Sequence, residues 1–140
     1  MNRFGTAAAA VLLVALPVCS DEPNGGGAAF PPRCGLLTPE PGLKVEEVPP
    51  AFVADGAEIV KVHKTKERLT VALNNPMTVA GSFTAYKKAA RAAGFELVGE
   101  DNEGFEAEIY LEKGDQLGAI QIRTSRCSEA TVVFINIVQT

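Results

Sequence analysis

Ser82-Phe83-Thr84-Ala85-Tyr86-Lys87-Lys88-Ala89-Ala90-Arg91-Ala92-Ala93-Gly94-Phe95 is the stretch that decides the fold. Phe83, Tyr86, Ala90 and Ala93 fall at i, i+3, i+7 and i+10, one stripe of an α-helix. Ser82 has the side chain of an N-cap, able to accept from a free amide of the first turn. An earlier start at Thr78 requires that Gly81 be tolerated inside the helix. Lys87, Lys88 and Arg91 lie off the stripe, and the later ones sit where the helix dipole favours cations. Gly94 supplies the left-handed residue that ends the helix, and Phe95 can fold back onto Ala90. Apart from two aromatic rings the stripe is made of alanine, so a flat surface must approach it closely.

The flanking segments supply that surface. Before the helix, Glu58 to His63 and Leu69 to Leu73 alternate, the first with Val60 and Val62 on one face and Lys61 and His63 on the other. Lys64-Thr65-Lys66-Glu67 between them reads as a hairpin loop. After the helix the period stays at two. Phe95, Leu97 and Gly99 form one face, and Phe105, Ala107, Ile109 and Leu111 form the next, with Glu106, Glu108 and Tyr110 outside. Ile120 and Ile122 point inward against Ala119, Gln121 and Arg123. Thr131 to Val138 is almost continuously apolar, the pattern of a central strand covered on both sides. The order β-β-α-β-β-β-β predicts an α+β domain, one helix on a predominantly antiparallel sheet.

The chain has 140 residues, enough for one such domain once the N-terminal segments are set apart. Residues 1–19 read as an export signal: Arg3, then the apolar run Thr6 to Leu16, too short to span a bilayer. Residues 20–48 read as a Gly/Pro-rich tether followed by an extended arm, in which Leu43, Val45 and Val48 suggest an edge strand or a packed segment. Residues 49–140 form the globular part. Formal charge is −4, which disfavours nucleic acid and a polybasic grip on anionic lipid. The chain has no Trp, which argues against a stacking platform for bases.

Three cysteines fit export. If Cys19 is lipidated or cleaved away, Cys34 and Cys127 remain as a pair, and oxidising surroundings favour a disulfide between them. The alternative is two unpaired thiols. His63, the single histidine, has no orienting partner nearby in sequence and reads as a solvated strand residue. With one His and paired cysteines no zinc ligand set exists, and no other metal is expected. Glu106 and Glu108 share a strand face where a hard cation could sit. Glu96, Glu100, Asp101, Glu103 and Glu112 extend the acidic run, but Asp101-Asn102-Glu103-Gly104 does not follow the calcium-loop spacing, and either Arg123 or the Lys61–Arg68 group could offset the repulsion from a neighbouring strand. No nucleophile elbow, phosphate-binding Gly loop or Cys-x-x-Cys occurs, so no catalytic residues and no cofactor are expected. Phe83 and Tyr86 read first as core, with an apolar ligand pocket beneath them as the alternative.

Leu16-Pro17-Val18-Cys19 resembles the lipobox of bacterial lipoproteins, in which lipid is attached to the Cys sulfur. Leu16 matches the apolar position, and Val18 stands where the pattern has Gly, Ala or Ser. Cleavage after Ser20, with Cys19 discarded, is the rival. Pro50-Ala51-Phe52, Asp55-Gly56-Ala57-Glu58-Ile59-Val60, the helix Phe83 to Phe95 and the strands to Val138 resemble small domains of exported bacterial lipoproteins. That resemblance implies a lipid-anchored, extracytoplasmic domain. Its expected work is non-catalytic binding, the membrane being reached through lipid on Cys19 and another envelope protein being the partner. The alternative is a secreted or periplasmic small-ligand carrier with its pocket between helix and sheet.

Overall fold

The computed structural model describes residues 35–126 and 129–140. The signal segment, most of the tether, Cys19, Cys34 and Cys127 lie outside the described residues. The strands are β1 (Glu58–Lys64), β2 (Arg68–Asn75), β3 (Glu96–Asn102), β4 (Glu106–Lys113), β5 (Gln116–Thr124) and β6 (Thr131–Gln139). The helix α1 spans Val79–Ala92. The domain is therefore α+β, with one helix laid on one six-stranded sheet. All neighbours are antiparallel, in the order β1-β2-β6-β5-β4-β3. The apolar last strand is thus inserted between the two hairpins, as its composition requires.

One face of the sheet carries the core: Val71 and Leu73, Ile109 and Leu111, Ile120 and Ile122, and Val133, Ile135 and Ile137. The helix lies over β3, β4 and β5 on this face. Two short 3-10 turns, Val45–Glu47 and Pro50–Phe52, bring Val48 and Phe52 into the same core. The Phe52 and Phe95 rings meet at 6.0 Å between centroids, tilted by 48°. Gly94 closes the helix with φ +83°, and the Phe95 amide donates to the Ala90 carbonyl at 3.0 Å, as the sequence suggests.

Three expectations are corrected. The helix begins a turn earlier than Ser82: Thr78 is the N-cap, its hydroxyl accepting from the Gly81 amide at 3.2 Å. Ser82 is fully buried instead, where Asn75 Nδ2 donates to its Oγ at 2.8 Å and Thr131 Oγ1 lies at 2.8 Å. Phe105 is 60 % exposed, because β4 starts one residue after it. Register shifts in β1 and β3 break the simple alternation. In β1, Ile59 and Val62, not Val60 and Val62, stand opposite Leu73 and Val71. In β3 the shift between Leu97 and Gly99 turns Gly99 to the outer face, opposite Tyr110.

The arm packs on the opposite face. The Leu37 amide donates to Asn74 Oδ1 at 2.9 Å and Asn74 Nδ2 returns a bond to the Leu37 carbonyl at 2.8 Å. The Glu40 amide donates to the Val60 carbonyl at 2.8 Å, and its carboxylate pairs with Lys61 at 2.9 Å. The chain therefore enters at the end of the sheet where β1 begins. There a Cβ added to Gly35 would stand 3.0 Å from Arg126 Cγ, in the β5–β6 connection.

Candidate binding surfaces

Two edges bound the sheet, and they differ. β1 is occupied by the arm through Glu40. Among the described residues no strand pairs with the outer side of β3. Val98 stands at the bulge of β3, 56 % exposed, and Glu96, Glu100 and Asp101 make the strand acidic. Lys87 reaches over from the helix to Glu100 at 2.9 Å, with its ammonium 4.7 Å from the Phe83 ring centroid.

The pair Glu106 and Glu108 does lie together on the outer face, but an amide occupies the space between them. Gln121 Nε2 donates to Glu106 Oε1 at 3.0 Å and to Glu108 Oε1 at 2.9 Å. Arg123 Nε adds a bond to Glu106 at 3.1 Å, the cross-strand cation that the charge pattern calls for. The Tyr110 hydroxyl donates to Glu108 and, with the Gln121 amide, holds that carboxyl below its ordinary pKa; the same bond raises the phenol of Tyr110. Among the described residues no group of three or more His, Cys, Asp or Glu side chains could hold a metal ion. His63 is exposed on the outer face, opposite Thr70.

Phe83 and Tyr86 separate in space. Phe83 is half-buried under Lys87, whereas Tyr86 is buried and its hydroxyl has no hydrogen-bond partner among the described residues. Burial alone pushes its phenol well above the ordinary value of 10.0. The layer directly beneath the helix is filled by Tyr86, Ser82 and Ala90. Open space lies beside it. A shallow cleft of about 310 Å³ runs between the helix, at Ala85, Tyr86 and Ala89, and the segment at Val53 and Ala54.

A larger cleft of about 380 Å³ opens at the other end of the sheet from Gly35, where the helix stops and the β1–β2 and β4–β5 hairpins turn. Phe52, Phe95 and Ile137 line it, and Lys64, Lys66, Arg68 and Lys113 approach it, together with Glu47 and Glu67. The hairpin loop is fixed locally. The Thr65 amide donates to the Arg68 carbonyl at 2.8 Å, and the Thr65 hydroxyl accepts from the Arg68 amide at 3.0 Å. Lys113 is fixed as well: its ammonium donates to the Ala93 carbonyl at 2.7 Å and stands 5.4 Å from the Phe95 ring centroid. It thereby caps the negative end of the helix. Sequence reasoning missed this cleft. The run of cations at 64–68 marks a loop, and only the fold brings it to Phe95 and Lys113.

No protein-family model, curated protein or solved structure matches the chain. Among the described residues no helix is long and apolar enough to cross a membrane.

Proposed function

We propose that the chain is an exported bacterial lipoprotein, anchored through lipid on Cys19, whose domain binds another envelope component and carries out no catalysis. The observation that supports a binding role is the asymmetry of the two sheet edges. Among the described residues the arm bonds to β1 and no strand pairs with the outer side of β3, where Val98 is exposed. An extended segment laid along β3 would gain main-chain hydrogen bonds, with Val98 and the acidic side chains selecting its sequence. The bulge and the carboxylates discourage pairing of β3 with another copy of itself, so the partner strand is a basic one. The lipobox-like Leu16 to Cys19 and the Gly/Pro-rich residues that follow support the tether.

The test is photo-crosslinking in intact cells from a reactive side chain placed at Val98, with the same side chain at Thr70 on the middle of the sheet as control. The expected result is one discrete adduct with an envelope protein from position 98, reduced when Glu100 and Asp101 are changed to Lys. Identical labelling from both positions, or none from position 98, overturns the edge as the contact.

A further inference from the structure

We propose that the cleft between the two hairpin turns and the helix end is a binding site for a small anionic amphiphile, one carboxylate or phosphate head on a single apolar body. The site is separate from the β3 edge and stands whether or not that edge binds a partner. Its volume, about 380 Å³, lies at the lower end of the range for small-molecule pockets, about 300–1,000 Å³. The space is therefore matched to a small molecule and is too small to seat a folded protein.

The two halves of the cleft call for the two halves of the ligand. Phe52, Phe95 and Ile137 belong to the core and are at most 7 % exposed, so they form a rigid floor, and the accessible apolar wall is made by Pro49, Pro50, Ala51, Leu69 and Ala93. An aliphatic or aromatic body laid against it removes apolar surface from water. The rim carries four cations against two carboxylates, Glu47 and Glu67, in a chain whose formal charge is −4. Positive charge is thus concentrated where the protein as a whole is negative. Among the described residues Lys64, Lys66 and Arg68 take part in no ion pair. Arg68 can grip a carboxylate or phosphate through two parallel N–H bonds, and the lysines add point charges. Lys113 differs, since one of its three donors is committed to Ala93. It stands over Phe95, at the seam between rim and floor, where the head of an amphiphile meets its body.

Carboxylate and phosphate heads share this chemistry, and they occur both on free molecules and on membrane lipids. Titration of the whole chain separates these sources. Dodecanoate and dodecyl phosphate, each below its micelle concentration, serve as free probes. Decanol tests the need for charge, inorganic phosphate tests the need for a body, and phosphatidylcholine vesicles with and without phosphatidylglycerol test a membrane surface. The expected result is saturable one-to-one binding of dodecanoate or dodecyl phosphate, with decanol and inorganic phosphate weaker by about tenfold or more. The double change Lys66→Glu and Arg68→Glu alters two exposed side chains at the β1–β2 turn, and it should weaken binding by about tenfold or more. Lys61→Glu, which reverses a charge on the arm-covered strand, should leave binding unchanged. Amide shifts on binding should centre on Gly94, Phe95 and residues 64–68. Equal affinity for decanol, no effect of the double reversal, or binding to the anionic vesicles alone would each overturn the site as proposed.

Discussion

Replacing Ser82 by Ala takes out the middle hydroxyl of a buried polar chain that ties three elements together. Asn75 at the end of β2 donates to it, and Thr131 at the start of β6 meets it, both at 2.8 Å. All three residues are buried, and Asn75 Oδ1 has no partner among the described residues. Losing Ser82 Oγ leaves the Asn75 amide and the Thr131 hydroxyl unpaired as well. A buried polar group left unsatisfied costs roughly 1–3 kcal/mol, while the better helix propensity of Ala returns about 0.5 kcal/mol. The expected loss for Ser82→Ala is therefore about 2 kcal/mol. For a domain of this size that lowers Tm by roughly 8–16 °C. A cap residue could cost about 1 kcal/mol on its own, so the single change does not prove the contact. The pair does. Thr131→Val alone also breaks the chain, but adding it to Ser82→Ala removes a group that was already stranded. Denaturant unfolding of the two single variants and the double should show a shortfall from additivity of about 1 kcal/mol. Losses that add to within about 0.5 kcal/mol would refute the buried network and return Ser82 to the role of a local cap.

Four further outcomes can be measured. Tyr86→Phe removes a buried hydroxyl that has no partner among the described residues and should stabilise the domain by about 1 kcal/mol, read from the denaturation midpoint; a loss of that size would mean the hydroxyl is bonded. The same residue sets an alkaline dependence. Its folded pKa is raised, so the unfolded chain releases the proton first, and stability present below the ordinary phenol value of 10.0 falls above it by up to about 1.4 kcal/mol per pH unit. The Phe variant should lose this component in urea titrations at rising pH. The disulfide expected from the sequence would join Cys34 to Cys127, both outside the described residues. Changing either cysteine to Ser should lower stability by about 4–5 kcal/mol, and changing both should cost no more than one; additive losses would exclude a shared bond. Gln121→Leu removes the amide between Glu106 and Glu108, so the Glu108 carboxyl should titrate at higher pH by carbon-detected NMR. An unmoved titration would show that Tyr110 and the Arg123 charge hold it down without the amide.

What could be read in the sequence is what local spacing controls. The helix stripe and its Gly94 stop are visible because every contact that defines them falls within one or two turns. The alternation of β4 and β5 holds residue by residue because neither strand contains a bulge. β1 and β3 each contain one, and composition does not mark it; the residues beyond it change faces. Ser82 and Thr78 are both good cap residues. What separates them is Thr131, 49 positions from Ser82, so no window around the helix could choose. The same limit hides the cleft at the hairpin turns, whose cations and rings come from four separate segments.

The apolar run of β6 shows how a local signal can be right for a reason that lies elsewhere. Its first residues, Thr131, Val132 and Val133, are buried on both faces, whereas Asn136 is exposed. The helix face accounts for Val133, but Val132 points outward, beside Asn74 of β2 and Arg123 of β5. The outer face at this end is covered by the arm, which fastens to Asn74 through Leu37 and to β1 through Glu40. Asn74 and Val60, the residues to which the arm bonds, are buried there. An uncharged patch on the outside of an antiparallel sheet would otherwise be an exposed apolar surface. The chain that arrives from the tether therefore completes the second face of the sheet at the end where it enters. The opposite end is left to the hairpin turns, and the far edge to β3.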